Sequence, residues 1–98
     1  MVAVLPLVKK DGIGEYSSKL EHELREDFTT FYDQSGAIGR RYRRMDEIGT
    51  PYCVTVDYDT LADNTVTLRF RDSMEQIRIP VSEIVSTIKK LNKEYKRV

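Results

Sequence analysis

Two stretches of the chain leave little choice about their surroundings. Val2-Ala-Val-Leu-Pro-Leu-Val8 is continuously apolar and rich in β-branched residues, and Pro51-Tyr-Cys-Val-Thr-Val-Asp57 is nearly so. A strand with one wet face alternates apolar and polar residues, whereas a strand covered on both faces reads as an unbroken apolar run. Both stretches therefore read as interior strands with structure above and below them. Pro6 has no amide hydrogen to give to a sheet ladder, so the first strand is expected to end or break near it.

The segments between these runs are helical in period. From Gly14 to Asp27, Tyr16, Leu20 and Leu24 recur at four-residue spacing, with Ile13 and Phe28 close to the same face. His22, the lone histidine, falls opposite, and the flanking Glu21 and Glu23 read as solvated acids on the helix surface. Thr29-Thr-Phe-Tyr-Asp33 is short, aromatic and β-branched, and reads as a second strand. The next helix has Ser35 as its expected N-cap, and Gly49 and Pro51 as its stop signals. Its apolar stripe is Ile38, Tyr42, Met45 and Ile48; Arg40, Arg43, Arg44 and Glu47 lie opposite, with Arg41 at the rim. Two strand–helix–strand units in series imply parallel neighbours with right-handed crossovers.

The last third changes character. Tyr58 to Asn64 is dense in Asp and Asn and reads as a turn region. Thr65 to Arg71 and Gln76 to Pro80 alternate as the two arms of an antiparallel hairpin, joined by a short connection over Asp72 to Glu75. Val66, Leu68, Phe70, Ile77 and Ile79 point inward; Thr65, Thr67, Arg69, Arg71, Gln76 and Arg78 point outward. Ser82 is placed to cap a final helix whose apolar face is Ile84, Ile88, Leu91 and Tyr95, with a basic tail from Lys93 to Arg97. The expected order is β-α-β-α-β-β-β-α, one α/β domain over residues 1–98 with a five-stranded mixed sheet flanked by three helices.

Function is constrained first by what is missing. Lys plus Arg and Asp plus Glu number 16 each, so no global field draws the chain to a polyanion, and any such binding must be local. The single cysteine, Cys53, sits in an apolar run and reads as a buried small hydrophobe; a reducing, cytoplasmic setting fits it. The first eight residues are too short for a signal-peptide core with a basic flank, and no apolar run approaches the roughly 18 residues of a membrane span. The sequence offers no nucleophile with a base, no phosphate loop of the P-loop type and no metal-ligand cluster, so no catalytic or metal residue is assigned.

Two basic features remain. Arg40, Arg41, Arg43 and Arg44 fall within five positions, on a helix whose N-terminus, opened by Ser35 and Gly36, favours an anion such as phosphate. The hairpin's outer face, with Thr67, Arg69, Arg71, Gln76 and Arg78, offers guanidinium, hydroxyl and amide groups that can bond and stack on unpaired RNA bases. Each feature also fits an ordinary solvated face.

The run Asp33-Gln-Ser-Gly-Ala-Ile-Gly-Arg-Arg-Tyr-Arg-Arg-Met-Asp-Glu-Ile-Gly-Thr-Pro-Tyr-Cys-Val-Thr-Val-Asp57 closely resembles the C-terminal anticodon-binding domain of dimeric, class II glycyl-tRNA synthetases, and so does Thr65-Val-Thr-Leu-Arg-Phe-Arg-Asp-Ser-Met-Glu-Gln-Ile-Arg78. The similarity runs from Val2 to about Leu91. Ala37, Met45 and Phe70 depart from the residues common in the family at those positions.

The resemblance implies the class IIa anticodon-binding-domain-like three-layer fold and binding of the anticodon stem and loop of glycine tRNA. Its carried-over RNA-facing groups are Ser35, Gly36, Arg40, Arg43, Arg44, Arg69 and Arg71. The full enzyme would join glycine to tRNA with ATP and Mg held in a catalytic domain N-terminal to this one. No cofactor is expected here, nor any aminoacylation activity. The chain is expected to be an excised, monomeric domain of a homodimeric enzyme. The alternative is a synthetase-like accessory module that binds protein, for example through a patch using Tyr16, Tyr58 or Tyr95, without tRNA specificity.

Overall fold

The computed structural model describes residues 1–34 and 36–95, with side chains through residue 91. Strand β1 (Val2–Pro6) is buried at every position and ends at its proline, as the missing amide hydrogen requires. Helix α1 (Ile13–Leu24) leads to the short strand β2 (Thr30–Tyr32). Helix α2 (Ile38–Glu47) leads to strand β3 (Tyr52–Val56), also buried throughout. Helix α3 (Tyr58–Asp63) precedes the antiparallel pair β4 (Thr65–Phe70) and β5 (Gln76–Pro80). A 3-10 turn (Val81–Glu83) then opens helix α4 (Ile84–Tyr95).

The five strands form one sheet in the order β2-β1-β3-β4-β5. Strand β1 pairs in parallel with β2 and β3, and the β3–β4 and β4–β5 pairs are antiparallel. Alternation along the strands then divides the core into two layers. Val2, Val4, Val54, Val56, Val66 and Leu68 meet Ile13, Leu20 and Leu24 of α1 and Ile84 and Ile88 of α4. Ala3, Leu5 and Cys53 point to the opposite face and meet Met45, with Ile38 and Tyr42 of α2 packed around them. Full burial of aliphatic side chains of this size stabilises by about 1.5–3 kcal/mol each, so the larger layer dominates.

The observed elements correct several expectations. There are four helices among the described residues, not three, because the Asp- and Asn-rich stretch after β3 closes a helical turn. The Asp57 carboxylate accepts from the Thr60 amide at 3.2 Å, the Thr60 hydroxyl accepts from the Asp57 amide at 3.0 Å, and Asn64 ends the helix with φ +57. Ser82 lies inside the 3-10 turn, so Pro80 takes the position before it. Ile48 is 52% exposed because α2 stops at Glu47, before its stripe completes another turn. Gly49 follows in the left-handed region (φ +81), the helix-end geometry its position predicts. Ile77 is 40% exposed: it shares a face with Leu68, but β5 is an edge strand. Glu21 is 4% exposed and takes hydrogen bonds from Arg25 Nε at 2.8 Å and Thr30 Oγ1 at 2.6 Å, so it is a bonded acid tying α1 to β2, not a solvated one. The Ser35 cap, and the side chains of Tyr95 and of the basic tail from Lys93 to Arg97, lie outside what is described.

Candidate nucleic-acid interface

Register decides which polar side chains share a surface. Cys53 pairs with Arg69, Thr55 with Thr67, Arg69 with Gln76 and Thr67 with Arg78, so these side chains leave the sheet on the side that carries α2. Helix α2 covers β1 and β3 there. Tyr42 shares a 2.5 Å hydrogen bond with the Thr55 hydroxyl of β3, and the helix's flank reaches β4, where Asp46 takes both terminal nitrogens of Arg69. Beyond that flank, Gln76 and Arg78 remain exposed and Thr67 half-buried.

Arg69, placed by alternation on the outer face, is therefore beneath α2 and only 6% exposed. Its guanidinium carbon stands 4.7 Å from the centre of the Tyr42 ring, a stacking distance for a cation on an aromatic face. The Asp46 hydrogen bond holds the guanidinium more firmly charged, against the opposing effect of burial. Alternation alone could not reveal this, since it records which side a residue faces and not what covers that side.

Helix α2 sorts its four arginines into three environments. The Arg40 and Arg43 side chains are exposed and have no ion-pair or hydrogen-bond partner among the described residues. Arg44 bonds the Asp33 carboxylate at 2.8 Å. Arg41, expected at the rim, is 3% exposed. It donates to the backbone oxygen of Pro6, to that of Leu7 at 3.1 Å and to that of Asp33 at 3.3 Å, which ties the helix to the ends of β1 and β2. Burial lowers its pKa, opposed in part by the Asp33 charge.

The hairpin arginines are also engaged. Arg78 holds Asp57 at 2.5 Å and the Thr67 hydroxyl at 3.1 Å, with Asp59 at 3.5 Å. Arg71 bonds Asp72 at 2.9 Å. Gly36, with φ +73, lies just ahead of α2, whose N-cap residue is Ala37 and has no side-chain cap. Arg40 and Arg43 thus share the α2 side of the sheet with the uncovered strip of Thr67, Gln76 and Arg78. Among the described residues no group of three or more His, Cys, Asp or Glu could hold a metal ion, and no helix is long and apolar enough to cross a membrane.

Known proteins give the same outline. A family model described as an anticodon binding domain matches residues 1–91. The glycine–tRNA ligase of Treponema denticola is 68% identical over 96 residues, which is 98% of this chain and 21% of that protein. The glycine–tRNA ligase of Borrelia hermsii is 56% identical over 97 residues, or 99% of this chain and 22% of that protein. The chain thus spans about a fifth of the length of these curated relatives. Among solved structures, prolyl-tRNA synthetase from Cryptosporidium parvum superposes with a TM-score of 0.85 at 23% identity, covering 98% of this chain and 21% of that one. The RNA binding domain of threonyl-tRNA synthetase from the same organism gives 0.82 at 24% identity, covering 92% and 23%. At that identity these two speak to the fold.

Proposed function

The chain belongs to the anticodon-binding-domain family, and from that premise we propose that it recognises the anticodon stem-loop of glycine tRNA as one part of a glycine–tRNA ligase. The whole enzyme then charges that tRNA with glycine, and its ATP and Mg are bound outside this domain. The isolated domain acts as a monomer in the cytoplasm, and the complete enzyme as a homodimer. The observation that carries this reading is the pair of exposed arginines, Arg40 and Arg43, without side-chain partners among the described residues, on the same side of the sheet as a polar strip of Thr67, Gln76 and Arg78.

In this arrangement Arg40 and Arg43 attract phosphates, while Thr67, Gln76 and Arg78 face the splayed loop bases. Arg44, Arg71 and Gly36 border the surface, and Arg69 acts from below it by holding α2 in place. Each well-made base contact contributes roughly 1–3 kcal/mol of discrimination, by analogy with base-edge reading in duplexes.

The test is a titration at fixed salt with the glycine anticodon stem-loop, beside one with the middle anticodon base changed. A clear preference for the first supports anticodon reading. Equal and steeply salt-dependent binding would reduce the interaction to phosphate attraction and defeat the specificity part.

A further inference from the structure

Three charged side chains are buried among the described residues: Glu21, Arg41 and Arg69. Two of them face a counter-charge, Glu21 with Arg25 at 2.8 Å and Arg69 with Asp46 at 3.0 Å. Arg41 has no ion pair among the described residues. Its terminal nitrogens meet backbone oxygens, and its buried Nε meets nothing. A buried cation with no direct ion pair, its burial offset only in part by the Asp33 charge, opposes folding, so its place in the fold calls for a physical reason.

That place is the mouth of a cleft. Strand β1 is followed by α1 on one face of the sheet, and β2 by α2 on the other, in the order β2-β1-β3. Connections that part to opposite faces leave a crevice outside the C-terminal ends of the strands, where open α/β sheets bind their ligands. A cleft of about 390 Å³ opens at this point, lined by Leu7, Lys9, Lys10, Gln34, Gly36 and Arg41 among others. That is within the roughly 300–1,000 Å³ of small-ligand sites.

Its charges are all of one sign. Lys9 and Lys10 are exposed and without an ion pair among the described residues, and no carboxylate lines the cleft. At Gly36 nothing among the described residues, its chain neighbours aside, lies within 4 Å of where a side chain would begin, and the N-cap residue of α2, Ala37, makes no side-chain cap. The first turn of α2 adds the partial positive charge of a helix N-terminus beside Gly36.

We infer that this cleft holds a phosphate group, namely a backbone phosphodiester of the RNA strand lying over the C-terminal ends of β1 and β2. Lys9 and Lys10 meet its oxygens directly, together with first-turn amides of α2. Arg41 contributes fixed positive charge from beneath, without contact. The RNA as source rests on the function proposed above; the phosphate chemistry does not.

Amide NMR spectra of the chain, titrated with inorganic phosphate against chloride of equal ionic strength, test the chemistry. Saturable shifts at Lys10, Gly36 and Ile38 are expected, and a Lys9→Ala/Lys10→Ala variant should lose them. Both lysines are exposed, so the variant should fold. The second arm measures the salt dependence of anticodon stem-loop binding. The variant's slope of log affinity against log salt should fall by roughly 0.7 for one lost single-strand phosphate.

Saturable shifts with an unchanged slope would transfer the site to a free phosphate-bearing molecule and overturn the RNA source. A changed slope without phosphate shifts would make the lysines ordinary surface attraction and overturn the built cleft. Shifts that persist in the variant, or no effect in either arm, overturn the inference. Discrimination between anticodons is read separately, so its failure and the failure of this site are distinguishable.

Discussion

Asp46 and Arg69 meet through two contacts, Nη1 to Oδ1 at 3.0 Å and Nη2 to Oδ2 at 3.2 Å, between the last turn of α2 and strand β4. The guanidinium is buried and the carboxylate is 30% exposed, so the two members are not equivalent. Removing the acid strands a buried cation, whereas removing the base frees an anion that water can reach. Asp46→Ala is expected to cost about 3 kcal/mol, the low end for a broken buried pair, and Arg69→Met less. Urea denaturation of both variants checks the order; an equal or reversed ranking would contradict the argument.

The exposed arginines should behave in the opposite way. Arg40→Ala/Arg43→Ala touches no ion pair or hydrogen bond among the described residues, so its stability should stay within about 0.5 kcal/mol of the parent. Its stem-loop affinity should drop, and the salt slope should shrink by roughly 0.7 for each phosphate no longer neutralised. Parallel denaturation and salt titrations separate the two effects. Arg44 is a poorer probe, since its bond to Asp33 mixes stability with binding.

Cys53 is 1% exposed, and burial pushes its thiol up to about 11 from an ordinary value of 9.0. The native thiol should therefore resist iodoacetamide at pH 8, while the urea-unfolded chain reacts readily. The linkage has a definite sign. The unfolded chain loses the proton first, so this contribution to stability is whole below pH 9 and is lost as pH rises toward 11, by roughly 2–3 kcal/mol. Cys53→Ala has no such proton and should decline less steeply over that window.

Glu21 works at the acid end. Burial opposes its ionisation, but the Arg25 and Thr30 hydrogen bonds outweigh burial and leave its pKa below the ordinary 4.5. Protons then bind the unfolded chain more readily than the folded one. Its contribution is present above pH 4.5 and disappears as pH falls through the folded value. Glu21→Gln should flatten that part of the acid unfolding curve, and an unchanged curve would remove Glu21 from the account.

Periodicity made the sheet legible, because β1 and β3 are covered on both faces and their residues are apolar throughout. It also found α1, α2 and α4, whose buried faces repeat regularly. It missed α3, where side chains of Asp57 and Thr60 close a turn that apolar spacing does not mark. On helix α2 it placed Arg40 and Arg43 in solvent, where they are exposed. It misplaced Arg41 and Arg69, whose partners are backbone oxygens at the ends of β1 and β2 and an acid on α2. It gave no sign of Lys9, Lys10 and Gln34 as a group, since they meet only where two loops far apart in sequence adjoin.

The sheet's two outer strands carry one more consequence. Strand β2 is three residues long, and β5 presents Gln76 and Arg78 before stopping at Pro80. A long, flat, apolar margin would offer its unpaired backbone as a template to a passing chain, and a short margin or a charged, proline-ended one does not. These margins therefore disfavour self-association of the folded chain through fibre-like strand pairing.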